Sequence, residues 1–381
     1  MICIKNGIVH DAIHEKASVR DILICNGKIT EMGSNLEVPQ GYEIIDATGM
    51  NVYPGFIDCH SHLGLFGSGI GFEGSDGNEP TDILTPQLRA IDAIEPTDIT
   101  FKEAREAGVT CVATGPGSAN VVGGQFAVIK TYGNRVDDMI VNPSVAMKCA
   151  FGENPKRVYK DKNNASRMST AAKLREILFK TGEYDKKIKL AEDDPTKMPK
   201  FDFKLEAMLP VIRREIPLKA HAHRADDLFT ALRIAKEFNV KITLEHVTDG
   251  SLIAEDLAKA GAMLAVGPSL GHKSKFELRH TSFKTPADLV AAGCHVSIIT
   301  DAPVIPQEYL PLCAGLAIRD GMRPFDALKS ITINAAEHIG CEDRIGSIEV
   351  GKDADIVIYE GSCFEVKSKT IATLINGKQV L

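Results

Sequence analysis

A short unit recurs through the middle of this chain: a helical stretch, a single glycine, then an apolar strand. Thr100 to Ala107 reads as a helix, Gly108 as its left-handed stop and Val109 to Ala113 as a strand. The same order returns at Ser251–Ala260, Gly261 and Ala262–Val266, and again at Pro286–Ala292, Gly293 and Cys294–Thr300. Strands alternating with helices call for parallel pairing through right-handed crossovers. The strands are apolar without clean alternation, as befits strands covered on both faces. The expected fold is α/β, a (β/α)8 TIM-type barrel. Such a barrel takes roughly 250 residues, so a chain of 381 has room for a second, smaller core.

Several of these apolar runs end in metal-ligand residue types. Pro54-Gly55-Phe56-Ile57-Asp58-Cys59-His60-Ser61-His62 closes on two histidines one residue apart. On an extended strand His60 and His62 point the same way, which is half of a divalent-metal site. Alone, the pair is equally two polar residues in a turn. However, His221-Ala222-His223 follows the apolar stretch Ile216 to Ala220, His246 ends Val240 to Glu245, and Asp301 ends Cys294 to Thr300. In a parallel barrel those strand ends converge on one face, where catalytic groups collect. Several matches in the right order are far harder to obtain by chance than one.

Composition excludes other classes. The formal net charge of −7, with no Lys/Arg block, argues against a nucleic-acid partner. No apolar segment approaches the roughly 20 residues that span a membrane, and no signal-peptide pattern opens the chain. Nine scattered cysteines, never in a Cys-x-x-Cys pair, suit reduced thiols in a cytoplasm. The expected partner is a small-molecule substrate. Homo-oligomerisation stays open, being common among soluble enzymes.

Two segments depart from the alternating order. Leu63 to Asp98 carries Gly64, Gly67, Gly69, Gly71, Gly74 and Gly77, and following the first histidines directly, it is expected at the mouth of the site. Val158 to Pro199 is charged and reads mostly as a solvated helix and connection.

The ordered set His60/His62, Lys148, His221, His246 and Asp301 resembles the amidohydrolase superfamily, and most closely its imidazolonepropionase- and prolidase-related branch. The ends agree. Ile4 to Gly7, Asp21 to Ile29 and Ile45 to Gly49 resemble the family's amino-terminal sandwich, and Ile345 to Val357 its return segment. The resemblance implies a barrel over residues 55–344 and one small β-sandwich built from residues 1–54 and 345–381. It also implies one or two divalent ions, zinc first, with manganese or iron open.

By the same resemblance, Lys148, at the end of Pro143 to Met147, would carry a carbamate that bridges two metals, with His60, His62, His221, His246 and Asp301 as their other ligands. Glu153 is the alternative bridge, since some branches use a glutamate. Asp301 would ligate one metal and act as general base and then acid toward metal-activated hydroxide. Glu153 and Arg157, in Gly152 to Arg157, either position a substrate carboxylate or pair among themselves. His223 is left for substrate or for support of a ligand. His272, His280, His295 and His338 have no such context and read as surface or core histidines.

The reaction expected is hydrolysis of a C–N bond in an amide, a lactam ring or a dipeptide. The alternative is a mononuclear imidazolonepropionase- or deaminase-like ring hydrolase. Those relatives commonly place a glutamate soon after the fifth-strand histidine, where this chain has Ala222, His223 and Arg224. An inactive scaffold would be expected to have lost ligands that this chain keeps.

Overall fold

The computed structural model describes residues 1–68 and 71–381; Gly69 of the glycine-rich loop lies outside them. The amino-terminal part forms five strands: β1 (Ile2–Val9), β2 (Ser18–Cys25), β3 (Lys28–Gly33), β4 (Glu43–Asp46) and β5 (Asn51–Pro54). Asn26-Gly27 takes positive φ at both residues, the two-residue turn that suits the twist of the β2–β3 hairpin.

The middle of the chain supplies β6 (Phe56–Ser61), β7 (Val109–Thr114), β8 (Val122–Lys130), β9 (Ile140–Ala150), β10 (Leu218–Ala222), β11 (Ile242–His246), β12 (Met263–Val266) and β13 (Val296–Ile298). They pair in chain order into one eight-stranded sheet. The sheet curls until β13 comes beside β6, a nearly closed barrel. The return segment then adds β14 (Ile356–Glu360), β15 (Lys369–Ile375) and β16 (Lys378–Gln379) to the first five strands, through antiparallel pairing of β14 with β5. Ile4, Ile22, Ile24, Ile29, Ile356, Ile358 and Leu374 fill the core of this second sheet.

The helix–glycine–strand units stand where expected. Helices Ile99–Glu106, Ala254–Ala260 and Thr285–Ala291 are followed by Gly108, Gly261 and Gly293, all at positive φ. The stretch before Ala254 is a 3₁₀ turn, Gly250–Ile253, in place of the first turn of an α-helix.

Uniform parallel pairing is not observed: β8 runs antiparallel to both β7 and β9. Only Gly115 to Val121 joins β7 to β8. A parallel return needs a crossover of a dozen or more residues, so this short link forces a hairpin. Val158 to Pro199 is also less solvated than expected. Its helix Arg167–Asp193 starts at a Ser166 capping box and buries Leu174, Ile177 and Leu178 against the barrel. Among the described residues, no helix is long and apolar enough to cross a membrane.

The barrel and the terminal sheet meet around a buried cation. Lys130, at the end of β8, donates to Asp353 at 3.0 Å and also to Asp355. Asp353 in turn takes Lys28 at 2.6 Å and Arg344 at 3.1 Å. Breaking a buried pair by deleting one partner leaves an uncompensated charge. Lys130→Met is therefore expected to lower unfolding free energy by about 3–5 kcal/mol, read from urea denaturation. A loss below about 1 kcal/mol, the scale of a surface pair, would contradict this account of the junction.

Candidate metal centre

The strand ends bring the candidate ligands to one face of the barrel. His60 lies in β6 and His62 just beyond it; Lys148 is in β9, His221 in β10, and His223 follows β10. His246 ends β11 and Asp301 follows β13, both with left-handed backbone, φ 76° and 56°. Non-glycine residues hold such conformations at a cost that the surroundings must offset. At His246 the twist has a visible use: Glu245 and His246 are sequence neighbours, yet both side chains reach the interior.

Two groups form. In the first, His62 Nε2 is 3.1 Å and His60 Nε2 is 3.6 Å from Asp301 Oδ1. The second joins His221, His223 and His246, whose contributing nitrogens lie within 4.8 Å of one another. Lys148 Nζ donates to His60 Nε2 at 3.0 Å and is completely buried.

Every imidazole is tied back at Nδ1. His62 donates to Gly115 O at 2.6 Å and His246 to Gly267 O at 2.9 Å. His221 bonds Ser118 Oγ and His223 bonds Thr248 Oγ1, each at 2.8 Å. A Cβ at Gly267 would meet Ile299 O at 2.3 Å, so only glycine presents that carbonyl to His246. His60 differs, for its Nδ1 faces the Glu245 carboxylate at 2.8 Å.

The site suits a cation. His221 Nε2, His246 Nε2 and Asp301 Oδ1 are buried without hydrogen-bond partners, an arrangement costing about 1–3 kcal/mol per group unless something fills it. Burial, then the neighbouring Lys148, holds His60 well below the ordinary imidazole range. Burial and then His246 do the same for His221 and His223, and burial takes His246 to about 4. Neutral imidazoles are the form that ligates metal. Burial brings Lys148 down to about 8, although Asp301 and Glu245 oppose the shift. Asp301 is held low: burial opposes ionisation, but the neighbouring His246, His62 and His60 outweigh it. Imidazoles with a carboxylate fit zinc, manganese or iron.

The structure gathers His60, His62, Lys148, His221, His246 and Asp301, and adds His223 to the second group. Glu153 and Arg157 are not brought in. Glu153 opens helix Glu153–Val158, where its backbone N–H donates to Glu277 at 3.0 Å, and its carboxylate belongs to neither group. Arg157 is exposed on the same helix. The glycine-rich loop does approach the site: Phe66 stacks edge-on to His62 with ring centres 5.9 Å apart, and Asn78 braces the Ser118 turn through Ala119 N.

Sequence reasoning missed Lys219, Thr243, Glu245 and His338, all buried beneath the ligands. Strand alternation held the signal. Lys219-x-His221-x-His223 and Thr243-x-Glu245 each share a face. No comparable pattern marks His338, which lies on helix Ile333–His338.

A family model described as the amidohydrolase family matches residues 51–380. The chain belongs to that family. A solved amidohydrolase from Thermotoga maritima MSB8 superposes with a TM-score of 0.97 at 42% identity, over 100% of both chains. Amidohydrolase tasK of Hapsidospora irregularis is 27% identical over 94% of this chain, which spans only 39% of that relative's length. An imidazolonepropionase of Symbiobacterium thermophilum is 25% identical over 87% of this chain and 82% of its own.

The depressed imidazoles set a pH dependence for the metal-free protein. Folded His246 stays neutral down to about pH 4, whereas the unfolded chain protonates it near pH 6.5. Between those values the unfolded state holds the extra proton, so stability rises with pH and is lost as pH falls. His60, His221 and His223 act in the same direction. Chelator-treated protein is expected to lose about 3 kcal/mol from His246 alone between pH 6.5 and 4, measured by urea unfolding. A constant midpoint across that window would contradict it.

Proposed function

We propose that this amidohydrolase is a metal-dependent hydrolase of C–N bonds in small amides, lactam rings or dipeptides. One observation carries the reading: two ligand groups, His60/His62/Asp301 and His221/His223/His246, share one barrel face with the buried Lys148 against the first. We assign the barrel to residues 55–344 and the terminal unit to residues 1–54 with 345–381.

His60, His62 and Asp301 would hold one divalent ion, and His221 with His246 the other. Lys148, as its carbamate, is the proposed bridge; its contact with His60, together with the separate course of Glu153, supports it over the glutamate. For His223, convergence with His221 and His246 supports a place on the second ion over a substrate contact. Zinc is the first choice. Bound there, such ions lower the pKa of water toward neutrality and polarise a carbonyl.

The protein's own part is positional and protolytic. Asp301, ionised and facing both histidine groups, takes the proton of the attacking water at a carboxylate oxygen. It then delivers that proton to the departing nitrogen, serving first as base and then as acid. The imidazoles are buried, while the Asp301 side chain keeps 14% exposure, open to the attacking water. The imidazolonepropionase relatives support cyclic amides among the substrates, so a screen of lactams, hydantoins, N-acyl amino acids and dipeptides with metal-replete protein is the direct test. Turnover of none of these would argue against the reading.

Two substitutions test the roles. Asp301→Asn is expected to cut kcat by about 10²–10⁴; a loss below threefold would remove its acid–base role. Lys148→Ala should reduce bound metal from two ions per chain to one and abolish most turnover. Added acetate or propionate, seated in the vacated space, should restore part of both. Unchanged metal content and activity would refute the bridge.

A further inference from the structure

Among the five imidazoles of the centre, His60 alone is backed by a carboxylate; the other four lean on neutral carbonyl or hydroxyl groups. Glu245 is completely buried, and each of its oxygens meets two partners. Oε2 takes His60 Nδ1 at 2.8 Å and Lys219 Nζ at 2.8 Å; Oε1 takes Thr243 Oγ1 at 2.6 Å and His338 Nε2 at 3.0 Å. An ionised carboxylate only accepts, so His60, Thr243 and His338 must each donate, while Lys219 meets it as an ion pair. His60 therefore carries its proton on Nδ1 and presents the Nε2 lone pair toward Lys148 and Asp301. Lys219 supplies the one full positive charge in contact with Glu245 and stands opposite Lys148 in the β9–β10 ladder.

We propose that Glu245 is the positioning residue of the first ion site: with Lys219 as counter-charge and His338 and Thr243 as braces, it fixes the tautomer and raises the basicity of His60. This rests on the metal-dependent reading above. Groups that orient a ligating histidine typically matter 10–100-fold in metal affinity. Glu245 itself touches neither ion nor substrate, so its influence is expected at one ion only.

The test is the paired variant Lys219→Met/Glu245→Gln, which removes the carboxylate together with its counter-charge. Isothermal titration with zinc is expected to show one ion bound 10–100-fold more weakly and the other unchanged. With cobalt, the visible absorption of one centre should alter and that of the other persist. Wild-type affinity at both sites and an unaltered cobalt spectrum would overturn the proposal. If the paired variant does not fold, wild-type protein still decides through long-range ¹⁵N–¹H correlations of the His60 ring, assigned with His60→Gln. The metal-free protein should show Nδ1 protonated; protonation at Nε2 would overturn the proposal. Failure of wild-type protein to bind any metal would instead refute the hydrolase reading, while the metal-free ring spectrum would still report the tautomer.

Discussion

Asp58 sits where the first and last barrel strands meet, and the centre depends on the seam it makes. Its buried carboxylate accepts from Thr300 N at 3.0 Å, Thr300 Oγ1 at 2.6 Å and Gln307 Nε2 at 2.8 Å on one side, and from His60 N at 3.0 Å on its own strand. His62 N adds a bond to Ala302 O at 2.8 Å. The stretch that carries Asp301 is thereby pinned beside the stretch that carries His60 and His62. Without that closure the first ligand group would be split between the two edges of an open sheet. These four hydrogen bonds offset only part of the cost of burying the carboxylate, for burial still raises its pKa above the ordinary value.

The same economy recurs at two deeper points. Lys219 and Glu245 are both excluded from water, as are Lys130 and the pair Asp353 and Asp355. Each cation meets carboxylates at hydrogen-bond distance. One pair lies under the candidate metal ligands and the other at the contact between barrel and terminal sheet. Buried pairs of this kind are poor sources of net stability but demanding of geometry. They fit a protein whose working face must hold five rings and a carboxylate in fixed relation.

Much of this was legible in the sequence, for identifiable reasons. A glycine after each short helix marks the start of a strand, because only a left-handed stop turns the chain back; Gly108, Gly261 and Gly293 did so. Ligand types at successive strand ends revealed the face on which they meet. The direction of β8 was hidden because apolar strands look alike in either direction; the seven-residue link from Gly115 to Val121 was the available cue. Glu245 was overshadowed by His246, since strict alternation would send neighbours to opposite faces and only the backbone at φ 76° brings both inward. His338 arrives from a helix almost a hundred residues away along the chain, a contact no local pattern encodes.

The central claim is that the two ligand groups hold two ions joined by a modified Lys148. Anomalous diffraction at the zinc edge, from crystals grown metal-replete with bicarbonate, tests it most directly. The account predicts two peaks about 3.5–4 Å apart, the usual spacing of a two-metal site. One should lie among His60, His62 and Asp301, the other among His221, His223 and His246, with density for a carboxylated Lys148 between them. An unmodified Lys148 with a single peak, or no peak at either group, would contradict it.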